Sequence, residues 1–223
     1  MCGRFALWND PGEIARELGV QAPPDLTKRY NVAPSQLIPA VRASSENNRE
    51  LVRLVWGLVP FWAKERRIGY RMINARAESI AQKSAFKTSF RRRRCLIPAS
   101  GFFEWQRTED KGKQPYFVRL KNRDLLAFAG LWDRWKDRES GEEIESCTII
   151  TTEANELVRR LHDRMPAVVG PEHYEQWLDP GTTEPKRLQK LLVPYPAGEM
   201  EIHPVSRDVN SPTNDRPDVV EPN

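Results

Sequence analysis

The chain has 223 residues, 39% of them hydrophobic and 30% charged, with a formal net charge of +4 and a sequence pI of about 9.0. That length fits one large domain or two small ones, and one is expected; the composition excludes a disordered main body, and the mild basic excess favours a polyanionic partner without proving one. No apolar run of about 18 residues could span a membrane, and the start is not of the charged-then-apolar signal-peptide kind, so a cytoplasmic protein with no membrane partner is expected.

The cysteines, Cys2, Cys95 and Cys147, are odd in number and form no CxxC pair, which argues against a disulfide framework and a zinc site and for a reducing compartment. Cys95 and Cys147 lie in the apolar runs Cys95-Leu96-Ile97-Pro98 and Cys147-Thr148-Ile149-Ile150, where cysteine serves as a small core hydrophobe. No metal and no cofactor is expected.

In chain order, residues 10–18 predict a short helix, with Asp10 as its cap, Pro11 at the first helical position and Gly19 just past its end. Strands are predicted at 36–42, 51–58 and 72–77, separated by polar or Gly/Pro-containing connections. More follow at 95–99, 102–106, 116–120, 125–131, 146–151 and 200–205, with helices at 79–90, 154–161, 171–178 and 184–192. Helices interspersed without a regular βαβ spacing predict an α+β fold, a single compact domain whose mainly antiparallel sheets form a distorted β-barrel-like core with peripheral helices. Residues 1–206 make up that domain. Residues 207–223, rich in Asp, Asn and Pro, are expected to form a loosely ordered tail.

The chemistry begins at Met1-Cys2-Gly3. Removing Met1 would leave Cys2 with a thiol and a free α-amine on one two-carbon unit, a 1,2-aminothiol. Such an amine titrates near ~7.7 to 8.0 and the thiol near ~8.5, so both keep a deprotonated fraction at neutral pH. An aldehyde would react with the amine as a Schiff base and then with the thiol, closing a thiazolidine ring; an amide carbonyl would be attacked by the thiol, with the amine as base. The plainer alternative is a frayed terminus, but Arg4-Phe5-Ala6-Leu7-Trp8 is apolar enough to be tied into a core.

Four further segments carry candidate chemistry, each beside a plainer reading. Glu104, in Gly101-Phe102-Phe103-Glu104-Trp105, would have a raised pKa and exchange protons near neutral pH if buried; alternation allows equally that it faces water. His162, before Asp163-Arg164-Met165-Pro166, can shuttle protons next to a phosphate-binding Arg164, or simply cap a helix end. Asn74, Arg76 and Glu78 alternate with Ala75 and Ala77, so an extended chain puts all three on one face, which suits a cleft or an exposed strand. Phe61 and Trp62, followed by Lys64, Arg66, Arg67 and Arg71, combine rings and cations as single-strand nucleic-acid sites do, while Trp56 reads as core. The run Arg91–Arg94 is read as a solvated basic face.

Together these blocks resemble the SOS response-associated peptidase domain family, whose members sense abasic sites in DNA. The carriers are Met1-Cys2-Gly3-Arg4-Phe5, Tyr30-Asn31-Val32-Ala33-Pro34, Trp56 to Trp62, Ile73 to Glu78, Arg94 to Pro98, Gly101 to Trp105, His162 to Pro166 and His203-Pro204-Val205-Ser206, and the resemblance runs from Met1 to about Asn210. It implies that Cys2 forms a thiazolidine crosslink with the ring-opened aldehyde of an abasic site in single-stranded DNA after Met1 is removed, with AP-lyase and autopeptidase activity as further expectations. Residue by residue it implies Cys2 as nucleophile, Asn74 as the group holding the crosslinked sugar, Glu104 as acid/base and His162 as the proton carrier near the 3′ phosphate. Arg4, Arg76 and Arg164 would bind phosphates, Phe61 and Trp62 would stack on bases or wedge at a single-strand/duplex junction, and Thr151 would touch the backbone. The expected partner is abasic single-stranded DNA, bound by a monomer that joins the nucleoid on damaged DNA if bacterial. Relatives often carry an acidic residue where Ser100 stands. Two rivals remain from the residues themselves: an N-terminal-nucleophile amidohydrolase such as a glutamine amidotransferase domain, and a non-enzymatic nucleic-acid-binding module in which Cys2 is incidental.

Overall fold

The computed structural model describes residues 2–21, 25–44, 48–109, 111–123 and 125–223; Met1 lies outside them. In chain order the first half comprises β1 (Phe5–Leu7), α1 (Pro11–Leu18), β2 (Arg29–Val32), β3 (Leu37–Ala43), β4 (Arg49–Trp56), β5 (Asn74–Arg76) and α2 (Lys87–Arg92). The second comprises β6 (Arg94–Ala99), β7 (Gly101–Arg107), β8 (Lys113–Leu120), β9 (Leu126–Lys136), β10 (Glu143–Glu153), β11 (Arg164–Pro166), α3 (Tyr174–Leu178), α4 (Pro185–Gln189) and β12 (Met200–Pro204). The α1 signals act as their positions predict. Asp10 accepts from the Gly12 N–H at 2.8 Å, satisfying a donor that the first helical turn leaves over, and Gly19 ends the helix in the left-handed conformation.

Five strands close on themselves. β10 pairs with β4, β4 with β3, β3 with β6, β6 with β9, and β9 again with β10, so this ring has no free edge. All of its pairings are antiparallel except β4–β10, which is parallel through Ser146 opposite Val55 and Cys147 opposite Trp56. Trp56, Phe128, Cys95 and Cys147 are fully buried, which places both internal cysteines in the core. The expected α+β fold with a barrel-like, mainly antiparallel core is the fold observed.

β10 outruns its barrel partners and takes new ones. Past the β4 pairing, its edge carries β5 in parallel, with Asn74 opposite Ile149 and Arg76 opposite Thr151. Past β9, the other edge carries β11, with Thr151 opposite Pro166 and Glu153 opposite Arg164.

The second sheet runs in the order β12-β8-β7-β1-β2. β1 reaches it through Phe5 opposite Phe102 and Ala6 opposite Gly101, with the Phe103 N–H donating to the Arg4 carbonyl at 3.0 Å. Phe5 then packs against Trp56 and Phe128, with ring centroids 5.3 and 6.0 Å away, so the start of the chain is pinned rather than frayed. Burying such a ring stabilises by about 2–3 kcal/mol. At the β6–β7 corner the buried Ser100 hydroxyl accepts from the Trp8 N–H and donates to Asn9 Oδ1, so its oxygen meets the acceptor need a carboxylate would also meet there.

The segment 207–223, expected as a loose tail, is laid against the outer face of this sheet. Val209 and Val219 are buried with Ala6, Phe103, Phe117 and Val205. Asp215 accepts from the Tyr30 and Asn31 N–H groups at 2.5 and 2.9 Å, and Asn31 Nδ2 donates to the Val209, Ser211 and Asn214 carbonyls. Two valines and a set of backbone hydrogen bonds suffice to order it, so composition is a poor guide here. The helices predicted at 79–90, 154–161 and 184–192 are shorter than predicted. Over 79–90 the α-helix begins only at Lys87 and runs to Arg92, because the buried Ile80, Phe86 and Phe90 are not spaced to share one helical stripe; over 154–161 only Val158–Arg160 forms a 3₁₀ turn, with the Asn155 side chain accepting the Val158 N–H. The basic run is no solvated face throughout: Arg94 is buried, donating to the Trp177, Phe90 and Arg91 carbonyls, and Arg93 pairs with Asp133.

Candidate active site and nucleic-acid interface

β1 and β7 bring Cys2 to Glu104. Arg4 lies across from Phe103, so the chain two residues earlier runs beside the next residues of β7. Cys2 is fully buried and Glu104 is 3% exposed. Phe103 and Phe117 fill the outer face of the sheet, with centroids 4.9 Å apart, so both faces of β7 are covered and alternation sends Glu104 inward. Burial raises its carboxyl to about 7, against smaller opposing effects of the positive chain terminus and, least, of a hydrogen bond from the Trp105 N–H. Burial also pushes the Cys2 thiol well above its ordinary range, and the charge of Glu104 adds to that rise. The sulfur is therefore a thiol at neutral pH, and the neighbouring carboxyl is the group that titrates there.

The end of β10 gathers the second set. Asn74 Nδ2 donates to the Ile73 carbonyl at 3.0 Å, while its Oδ1 is buried with no hydrogen-bond partner; an acceptor left so is costly unless something donates to it. Arg76 is exposed. Thr151 is 1% exposed, and its carbonyl accepts from Ala77 N–H and from Arg164 Nη2, so it shapes the wall and holds Arg164. Arg164 also places both terminal nitrogens on Glu78, at 2.7 and 3.0 Å. The backbone N–H of Arg164 donates to His162 Nδ1 at 2.9 Å, which leaves the proton of the neutral ring on Nε2. Burial lowers the His162 pKa, so the neutral form prevails at pH 7. Gln106, two residues past Glu104, donates to the Arg160 carbonyl at 3.2 Å and ties the two sets together.

Arg4 is more committed than a surface phosphate binder. Its Nη1 donates to Asn31 Oδ1 at 2.7 Å and to the Val209 carbonyl at 2.6 Å, and its guanidinium lies 5.9 Å from the Trp105 ring centre.

Phe61 and Trp62 stand apart from these groups, on a loop between β4 and β5. Its neck is closed by the Leu58 N–H donating to the Met72 carbonyl at 3.1 Å. Gly57 there has φ +137°, and a Cβ on it would meet the Gly69 carbonyl oxygen at 2.7 Å, so only glycine fits. The tip is held by the Phe61 N–H on Asp133 and the Trp135 indole on the Ala63 carbonyl. Asp133 lies opposite Ser146, five residues before Thr151 on β10, or about 17 Å at strand rise. Phe61 and Trp62 are 53% and 44% exposed and Tyr70 70%. A groove of about 660 Å³ is lined by Trp62, Lys64, Arg67, Ile68, Tyr70 and Arg71 among others. Tyr70 was missed by sequence reasoning although it follows the same cation-rich stretch. Among the described residues no cluster of His, Cys, Asp and Glu could hold a metal, and no helix is long and apolar enough to cross a membrane.

The sequence pattern described as SOS response associated peptidase matches residues 1–212. The chain is 46% identical over 224 residues to the abasic site processing protein YoqW of Bacillus subtilis, covering 99% of each. It is 32% identical to the abasic site processing protein HMCES of Xenopus tropicalis, covering 85% of this chain and 64% of that one. A crystal structure of a protein from Bacteroides thetaiotaomicron superposes over the full length of both chains with a TM-score of 0.89 at 29% identity. With the family pattern extending from the buried Cys2 strand to the C-terminal segment that clasps it, the chain belongs to the SOS response associated peptidase family.

Proposed function

We propose that this protein processes abasic sites in single-stranded DNA by forming a thiazolidine through Cys2. The observation that carries the reading is the Cys2–Glu104 pair, a buried thiol beside a carboxyl raised to about 7. It is supported by relatives named as abasic site processing proteins.

Once Met1 is gone, the Cys2 α-amine adds to C1′ of the ring-opened aldehyde and water leaves, giving an imine. A thiol as deeply buried as Cys2 attacks only as it loses its proton. Glu104 takes that proton as sulfur bonds to C1′ and passes it on to the imine nitrogen as the ring closes. The sum is protein plus DNA minus one water. In reverse, protonated Glu104 returns the proton to sulfur and the ring opens. Asn74 Oδ1, buried without a donor, accepts from the amine or a sugar hydroxyl. Neutral His162 carries its proton on Nε2 and can give it to the leaving 3′ phosphate oxygen if the imine undergoes β-elimination, the lyase outcome. Arg76 and Arg164 neutralise phosphates, the remaining Nη2 of Arg4 contributes to the same field, and Phe61, Trp62 and Tyr70 stack on unpaired bases where single strand meets duplex.

The test is incubation of protein with Met1 removed, verified by mass spectrometry, with an oligonucleotide bearing one abasic site. The expected product survives denaturation and has the summed mass less one water. An identical adduct from Cys2→Ala would overturn the mechanism, and glutamine hydrolysis without any adduct would favour the amidotransferase chemistry.

A further inference from the structure

Alternation along Asn74, Arg76 and Glu78 carries past the end of β5, because the Ala77 N–H still bonds the Thr151 carbonyl at 2.9 Å. Glu78 thereby reaches Arg164 across β10. The guanidinium of Arg164 has three edges to offer. Its Nε is buried, and Nη2 is anchored on the Thr151 carbonyl at 2.6 Å. The Nη1/Nη2 edge is the one left for a ligand, and both carboxylate oxygens of Glu78 occupy it, Oε1 on Nη1 and Oε2 on Nη2. This two-point fork is also how an arginine grips a phosphate. Burial is unequal: the Arg164 side chain is 13% exposed and that of Glu78 51%. The arginine is thus fixed in the wall, while the carboxylate lies on the solvent side and can swing into water at small cost.

We propose that Glu78 is a built-in phosphate mimic, a specificity-determining residue that occupies the Arg164 phosphate subsite until a DNA backbone displaces it. This rests on the reading of Arg164 as a phosphate anchor. Its consequence is that non-covalent binding to intact single strands stays weak, so residence on DNA depends on the covalent link at an abasic site. A carboxylate placed only to orient Arg164 would have the opposite effect on removal, since the freed guanidinium would lose its aim.

The test uses the full chain with Cys2→Ala, which cannot close the thiazolidine, and a fluorescent single-stranded oligonucleotide without abasic sites, titrated across a range of salt concentrations. Glu78→Gln keeps the shape and an oxygen acceptor, and Glu78→Ala is the second variant; melting curves verify that both are folded. Each is expected to tighten binding roughly two- to five-fold, the size of one exposed charge contact. The slope of log K against log salt should steepen by about 0.7, one further phosphate neutralised on a single strand. Both effects should vanish when Arg164→Ala is added. Unchanged or weaker binding by both Glu78 variants, with Arg164→Ala still weakening it, overturns the mimic alone. No loss of affinity in Arg164→Ala overturns the phosphate anchor and the mimic with it. Adduct formation by the wild type on abasic DNA is scored separately and decides only the crosslinking reading.

Discussion

Arg4 Nη1 donates to the Val209 carbonyl at 2.6 Å across 205 residues of chain, so the strand that carries Cys2 is held by the segment that follows the second sheet. Asn31, fully buried, completes the clasp by accepting from Arg4 and donating to Val209, Ser211 and Asn214. Removing its side chain leaves several buried partners unmatched, each worth about 1–3 kcal/mol. Asn31→Ala is therefore expected to lower unfolding free energy by about 2–4 kcal/mol in urea denaturation. A midpoint unchanged from wild type would show that the clasp is not a stabilising contact.

Glu104 makes stability depend on pH in an uncommon direction. Its folded-state pKa of about 7 lies above the ~4.3 of an exposed glutamate. Between those values the native state binds more protons than the unfolded state, so stability falls as pH rises from about 4.5 to 7 and stays lowered above. The effect is on the order of 3 kcal/mol. Glu104→Gln should remove this decline and stabilise the protein above pH 7, while slowing adduct formation and flattening the rate profile near pH 7. Denaturation and adduct kinetics over a pH series measure both, and a wild-type curve of the opposite slope would contradict the assignment.

A methyl group at Gly101 would come within 2.3 Å of Phe117 Cζ and 2.6 Å of the Val118 carbonyl oxygen. The backbone oxygen cannot yield without breaking the β7–β8 pairing. Gly101→Ala is expected to cost about 2–4 kcal/mol and, because Gly101 lies opposite Ala6, to loosen the Cys2 strand. Thermal melting is the direct readout, and a fully stable variant would mean that the β6–β7 corner shifts freely.

Trp62 and Tyr70 line the groove beside the cation-rich loop and are well exposed. Trp62→Ala and Tyr70→Phe should leave the melting temperature within a degree or so, as surface changes do. Trp62→Ala alone should weaken single-strand binding by about 1–3 kcal/mol, the loss of one stacked base, while Tyr70→Phe keeps the ring and the affinity. Equal affinity for Trp62→Ala and wild type in fluorescence titration would remove the loop from the interface.

Much of this arrangement is written in local pattern. The small Ala75 and Ala77 between Asn74, Arg76 and Glu78 announce a one-sided polar strand, and the apolar runs around Cys95 and Cys147 announce barrel strands. β1, β2 and β11 are not legible, since three or four residues carry no period and their partners lie far away in the chain. Glu104 was readable as a proton carrier only if buried, and its burial depends on Phe103, Phe117 and the 207–223 segment covering the opposite face. That segment has few apolar residues, and its order comes from the buried Val209 and Val219 and from hydrogen bonds through Asn31 and Asp215, which leave no mark in composition. The Glu78–Arg164 pair joins positions 86 apart, beyond the reach of any local signal.

β10 changes neighbours halfway along both of its edges, from β4 to β5 and from β9 to β11. A strand so constrained cannot slip by two residues without breaking contacts on both sides, so its register is locked. It is also built from pairings distant in sequence, which close late and slowly during folding. The buried pair therefore has no partial version: a chain in which β10 has not yet found its register lacks the walls that enclose Cys2 and Glu104.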